Sequence, residues 1–318
     1  MPTITETVIR AQFPFWQAAL RQPLPVLRAG TIVLTGCGTS HYLAQSLACA
    51  YSAAGQRALA VPGAEWARRP GDYVADKSDL LVIGLSRSGA TTETIQAIET
   101  SRTRGWPSFA ISCEPNSAIL RAADRSLYVP TDGAEGIVMT VSACLMLLAG
   151  LRLVGITLPA GLVSAAQGGM AAMEAGVDAL LPGRSHFVYL GGGARYGIAA
   201  EGCLKLQEMS LSYSQAFHPM EYRHGPISLV GNKTLLVMLY SDSTATEEAA
   251  VVADVQAKGA KVIGVNGPGD LRIDVGGGVG AALAALPALQ IMGERVALAK
   301  GINTESPRHL TKVVVLQP

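Results

Sequence analysis

LLVIGLSRSGATTETIQAI (Leu80–Ile98) starts as an unbroken apolar run, dissolves into hydroxyls around a glycine, and resumes with helical spacing. An unbroken apolar run predicts a strand covered on both faces, as in a parallel sheet. An ordinary turn needs two or three polar residues, whereas this one holds Ser86, Ser88, Thr91 and Thr92 about Gly89, with Arg87 inserted. The same order recurs upstream, where TIVLTGCGTS (31–40) leads into HYLAQSLACAYSAAG, and downstream SFAISCEP (108–115) predicts another strand. Helices between such strands give βαβ units and a doubly wound α/β fold, a parallel sheet flanked by helices.

The second half repeats the scheme. HFVYLGGGARYGIAAEGCLKL places Gly191 and Gly193 on Gly36 and Gly38, and LLVMLYSDSTATEE places Ser241, Ser243 and Thr246 on Ser86, Ser88 and Thr91. Both matches share one register, since 191 − 36 and 241 − 86 both give 155. The chain is therefore expected to hold an N-terminal helical segment (1–24), one α/β domain (25–160), a linker helix (161–181) and a second α/β domain (182–318). The copies diverge in the loop: Gly89 corresponds to Thr244 and Arg87 to Asp242. An acidic residue repels a phosphate, and loss of glycine removes easy access to positive φ, so only the first copy is equipped for an anion.

Two readings of the first loop stand side by side. Its hydroxyls can cap a helix and shape a turn, or they can join the free backbone N–H groups of a helix N-terminus in holding an anion. Thr39 and Ser40, after Gly38 at the end of the preceding strand, add donors at the sheet edge where open α/β folds bind ligands. GCGTSH lacks the third glycine of a dinucleotide fingerprint, and no GxxxxGK[ST] occurs, so a small phosphorylated molecule is the expected ligand.

Composition narrows the classes. Of 318 residues 49% are hydrophobic, 15% charged and 5% aromatic, the net charge is +1, and mean hydropathy is +0.30. That suits a large core and an oligomer with buried interfaces, and offers neither the basic footprint nor the stacking platform of a nucleic-acid binder. The N-terminus has no continuous apolar core of a signal peptide. SACLMLLAGLRLVGITLPAGLV (142–163) could pass for a membrane span, but Arg152, its glycines and Pro159 favour a buried helix. Five cysteines without a CxxC pair suggest reduced thiols and a cytoplasmic protein, and the five histidines form no ligand-spaced metal group.

Acid–base candidates cluster in the second half. YGIAAEGCLKLQEMSLS carries Glu201, Lys205 and Glu208 at helical spacing on one face. That face is either a solvated ion-paired stripe or a carboxylate base with a lysine governing its ionisation. In AFHPMEYRHGPISLV, His224 shares a loop with Glu221 and Arg223 before a strand-like ISLV, and can serve structure or proton transfer. Near the C-terminus PRHLTK holds Lys312, whose role the residues alone leave open.

CGTS, SRSGATTET, EGCLKLQE, EYRHGP and PRHLTK, in this order, resemble the sugar isomerase (SIS) domain family. The resemblance runs from about residue 30 onward and is nearest to the isomerase half of glucosamine-6-phosphate synthase and its stand-alone relatives. It implies two tandem SIS domains and a homodimer with shared active sites, acting on a small-molecule sugar phosphate without cofactor, nucleic acid or membrane. On matching positions, Thr39, Ser40, Ser86, Arg87, Ser88 and Thr91 would bind the phosphate, and Gly38, Thr140 and Glu221 the remainder of the substrate. Glu208 would move the proton between C1 and C2, Lys205 would be its electrostatic neighbour, and His224 would assist ring opening. Lys312 matches a lysine that forms a Schiff base in the synthase.

Some positions depart from the synthase. No glutaminase domain with its cysteine is present, so glutamine-dependent amination is not expected. SRSG replaces SQSG, and EGIVMTVSA places Thr140 and Ser142 where the synthase has serine and lysine. The expected activity is a glucosamine-6-phosphate deaminase/isomerase yielding fructose 6-phosphate and ammonia through a cis-enediol or enolamine. Alternatives are a fructosamine-6-phosphate deglycase, a tagatose-6-phosphate ketose/aldose isomerase, or a phosphosugar sensor without turnover.

Overall fold

The structure, a computed structural model, describes residues 2–75 and 79–314. Helices α1 (Ile4–Arg10) and α2 (Phe13–Arg21) precede β1 (Thr31–Gly36), α3 (Thr39–Ala53), β2 (Ala58–Pro62) and α4 (Gly63–Arg68). Then come β3 (Leu80–Leu85), α5 (Thr92–Thr103), β4 (Ser108–Ser112), α6 (Ala118–Ala122), β5 (Arg125–Tyr128) and α7 (Val141–Arg152). The second half runs through α8 (Leu162–Gly176), β6 (His186–Gly191), α9 (Ala194–Ser210), β7 (Ser214–Phe217) and α10 (Pro219–Tyr222). It closes with β8 (Thr234–Leu239), α11 (Ala245–Ala257), β9 (Lys261–Val265), β10 (Leu271–Ile273) and α12 (Ala281–Ala299).

Two all-parallel sheets result, ordered β2-β1-β3-β4-β5 and β7-β6-β8-β9-β10. Both put the first strand between the second and third, so the chain leaves β1 in one direction and β3 in the other. The crevice at such a reversal is where doubly wound sheets bind ligands. The sequence repeat is carried into the backbone: β1 and β6 start 155 residues apart, as do α3 and α9 (31 and 186, 39 and 194). Gly38 and Gly193 share nearly one conformation, φ 55, ψ −127 against φ 56, ψ −130. The inner strands β3 and β8 are apolar and buried almost throughout, as their unbroken hydrophobic runs require.

Two compact units form, and neither is continuous in sequence. Among the described residues, one holds 14–157 with 311–314, the other 2–13 with 158–310. In the second-sheet unit α8, the expected linker, packs on α12, and the Thr3 hydroxyl donates to buried Glu294 of α12 (2.6 Å). The apolar run from 142 gives α7, 12 residues long and buried along Val141–Leu151. Among the described residues Gly278–Ala299 is the one helix long and apolar enough to cross a membrane, and 89% of its apolar window is buried in the protein. The strand-like ISLV forms no strand. Pro226–Leu229 is a 3-10 turn, set by Gly225 at φ 126 and by Pro226, which has no N–H for a ladder.

Candidate active site

In the first-sheet unit, β1 and β3 are neighbours, and the loops after them flank the reversal point. After β1, Gly38 takes positive φ and opens α3, with Thr39 and Ser40 buried in its first turn. After β3, Gly89 sits at φ +60, and a Cβ there would meet Ser117 Oγ at 2.1 Å. Its N–H donates to Ser86 Oγ (3.1 Å), that of Ala90 to Ser88 Oγ (3.3 Å), and Ser86 Oγ bonds Thr91 Oγ1 (3.4 Å). Thr91 occupies the N-cap of α5 without a side-chain capping bond. The loop is therefore a formed turn, and two helix N-termini with hydroxyls stand at one sheet edge.

The loop of the second copy carries partners from within the chain. Glu248 Oε2 accepts the Ser241 N–H (2.7 Å), its Oε1 accepts the Thr244 hydroxyl (2.9 Å), and Arg195 donates to Ser241 Oγ (3.1 Å). A carboxylate of the chain itself engages this loop. The matching residue of the first copy, Glu93 (248 − 155), lies instead near Cys37, whose thiol is pushed up by burial and by that carboxylate.

Arg87 departs from the hydroxyls on either side of it. Its guanidinium is 8% exposed and donates to the carbonyls of Gly136 (2.9 Å), Ile137 (3.1 Å) and Lys312 (3.0 Å), with Glu135 Oε2 at 4.0 Å. Lys312 Nζ donates to the Glu135 carbonyl (3.0 Å). Glu135, which the sequence reading passed over, organises this corner: its Oε1 accepts the Thr140 N–H (2.7 Å), the Thr140 hydroxyl (3.0 Å) and the Ser142 N–H (3.0 Å). It thereby caps α7 from five residues upstream, and an acidic residue before the TVS start of a helix was the available signal. Arg87, Ser88, Glu135 and Lys312 line one cavity of about 460 Å³.

In the second-sheet unit, Glu201, Lys205 and Glu208 do meet on α9. Lys205 Nζ lies 3.4 Å from Glu201 Oε1 and is hydrogen-bonded to Glu208 Oε2. The solvated-stripe reading fails, because side-chain exposure is 0% for Glu201 and 1% for Lys205. Glu208 alone reaches outward, at 20%. Burial alone would lower the Lys205 pKa, but its two carboxylates outweigh that and hold it raised, so the ammonium stays charged. Glu221 and His224 are exposed around α10. A further cavity of about 560 Å³, lined by Phe187, Arg295 and Lys300 among others, includes none of the candidates.

The sequence model of the SIS domain matches residues 26–154 and 180–269. Among relatives, the glutamine–fructose-6-phosphate aminotransferase (isomerizing) of Leifsonia xyli is 28% identical over 74% of this chain and 44% of its own. That of Pyrobaculum aerophilum is 28% identical over 92% of this chain and 52% of its own. The chain thus spans about half the length of these relatives. Among solved structures, glucosamine-6-phosphate deaminase from Thermotoga maritima superposes with a TM-score of 0.88 at 27% identity, covering 99% of this chain and 100% of that one. The C-terminal domain of glucosamine-fructose-6-phosphate aminotransferase from Francisella tularensis shares the fold, with a TM-score of 0.86 at 21% identity over 96% and 99%. With its two matched segments and two sheets of one topology, the chain belongs to the SIS domain family.

Proposed function

We propose that the chain is a phosphosugar isomerase that converts glucosamine 6-phosphate and water to fructose 6-phosphate and ammonia. The observation that carries this reading is Glu208 on α9, partly exposed and held by a fully buried, charged Lys205. Such a pair fixes a carboxylate base beside a positive charge, which suits abstraction of a weakly acidic proton next to a carbonyl. The 27% identity to a glucosamine-6-phosphate deaminase over nearly the whole chain supports the same choice.

In this reading Thr39, Ser40, Ser86, Ser88 and Thr91 hold the 6-phosphate, supplying binding energy remote from the reacting carbons. Gly38, Thr140 and Glu221 bound the sugar, and His224 assists ring opening. Glu208 takes the C2 proton of the open-chain aldehyde, leaving an enolamine, and returns it to C1. The resulting C2 imine is hydrolysed by water, which releases ammonia and leaves the ketose. Lys312 meets the sugar carbonyl in this reading. The same reading carries a cytoplasmic homodimer, to be checked by sedimentation.

Proton NMR with glucosamine 6-phosphate in deuterated water, with ammonia assayed in parallel, tests this directly. Deuterium uptake together with ammonia and fructose 6-phosphate is expected, and Glu208→Gln should abolish the uptake while phosphate-dependent binding persists. Uptake without ammonia would replace deamination by aldose/ketose isomerisation. Binding without uptake would leave a sensor.

A further inference from the structure

Arg87 lies within the hydroxyl loop but faces away from it. Its backbone carbonyl accepts the Cys113 N–H (3.1 Å) and the Ser112 hydroxyl (3.2 Å), which fixes the residue to the end of β4. Its two terminal nitrogens reach three carbonyls, two on the segment before α7 and one belonging to Lys312. The guanidinium is buried beside Glu135 Oε2, and the Lys312 ammonium returns to the Glu135 carbonyl. The contacts form a closed circuit: loop residue 87, tail residue 312, segment 135–137, and back to 87. A glutamine could supply only two N–H donors and no charge to this circuit. A lysine would supply a charge without the planar fork that reaches several carbonyls at once.

We propose that Arg87 is a positioning residue for Lys312: it fastens the tail to the phosphate loop through the Lys312 carbonyl and so fixes where the lysine ammonium stands. The proposal rests on the reading above in assigning Lys312 a part in the sugar chemistry. The clamp itself does not depend on that reading. Arg87 then contributes to turnover through the tail, and its positive charge is matched to Glu135 and three carbonyls instead of the phosphate.

Tryptic cleavage of the Lys312–Val313 bond in the full-length protein, followed by mass spectrometry, reads the clamp without any substrate. The scissile carbonyl is the one Arg87 holds, and cleavage of a folded site requires local opening. Arg87→Gln should speed this cleavage roughly tenfold or more, as expected for loss of a coupled contact worth over 1 kcal/mol. Arg87→Lys, which keeps the buried cation beside Glu135 and so guards against a merely unfolded variant, should do the same. Inorganic phosphate should bind both variants within about threefold of the parent, whereas kcat should fall roughly tenfold with little change in KM. In a Lys312→Ala background Arg87→Gln should cost no further turnover, a non-additivity that a purely structural role would not produce. Unchanged cleavage with phosphate binding weakened more than about tenfold would overturn the proposal and give the guanidinium to the anion. Additive losses in the double variant would overturn it as well. If no phosphosugar is turned over, the proposed function fails, and the cleavage rates still decide the clamp.

Discussion

A methyl group at position 89 has no space and a strained backbone. The glycine holds φ +60, and an added Cβ would lie 2.1 Å from Ser117 Oγ and 2.3 Å from Ser117 Cβ. Gly89→Ala should therefore destabilise the protein by about 2 kcal/mol or more, combining a strained left-handed residue with a steric clash. Urea unfolding measures the cost, and phosphate binding should fall with it because the Ser86 and Ser88 turn is displaced. The need for a glycine at this point was legible from the hydroxyl-rich turn. The direction of Arg87 was not, because it is decided by carbonyls at 136, 137 and 312, none near it in sequence. Glu135 went unnoticed for the same reason: its partners become visible only when the segment before α7 folds back on the loop.

On α9, spacing alone predicts one face for Glu201, Lys205 and Glu208, but not whether that face meets water. Packing against α12 decides it: a Cβ on Gly202 would crowd Leu289 of α12, and one on Gly293 of α12 would come within 3.6 Å of the Lys205 carbonyl. The glycines allow the helices to approach closely where α9 carries its buried charges. Lys205→Met would leave Glu201 buried without its counter-charge, which in buried ion pairs costs about 3–5 kcal/mol. The expected result is a large drop in the denaturation midpoint. Glu201→Gln combined with Lys205→Met should recover part of it, since the uncompensated charge is then gone. Isomerase activity should not return in the double variant, because Glu208 still lacks the ammonium that orients it. An ion-paired surface stripe would give losses near zero in the same experiment. The short 3-10 turn at Pro226–Leu229 marks the opposite failure of local reading, where the mostly apolar ISLV suggests a strand but Gly225 and Pro226 prevent ladder pairing.

At the scale of the whole chain, the duplication was readable because a βαβ unit writes the same apolar runs and turns wherever it occurs, and the 155-residue register survives in the starts of β1 and β6 and of α3 and α9. Closure of each unit by distant segments was not readable, because it depends on contacts such as α1 against α12. One of those contacts has a measurable consequence for stability against pH. Glu294 on α12 is fully buried and accepts the Thr3 hydroxyl, and burial is the main cause of its raised pKa, reinforced by nearby Glu6 and Glu305. A carboxyl with a pKa higher folded than unfolded binds its proton more tightly in the native state. Its contribution is complete below the unfolded value near 4.5 and is lost as pH rises through the folded value. Glu294→Gln removes that loss. The stability of the variant relative to the parent should therefore climb as pH rises from about 4 to 8, whatever its absolute offset at the start. Glu248 has its pKa raised by burial too, so the variant should retain part of the slope. Urea unfolding of parent and variant across that range measures the difference, and a difference independent of pH would mean that Glu294 does not titrate upward on folding.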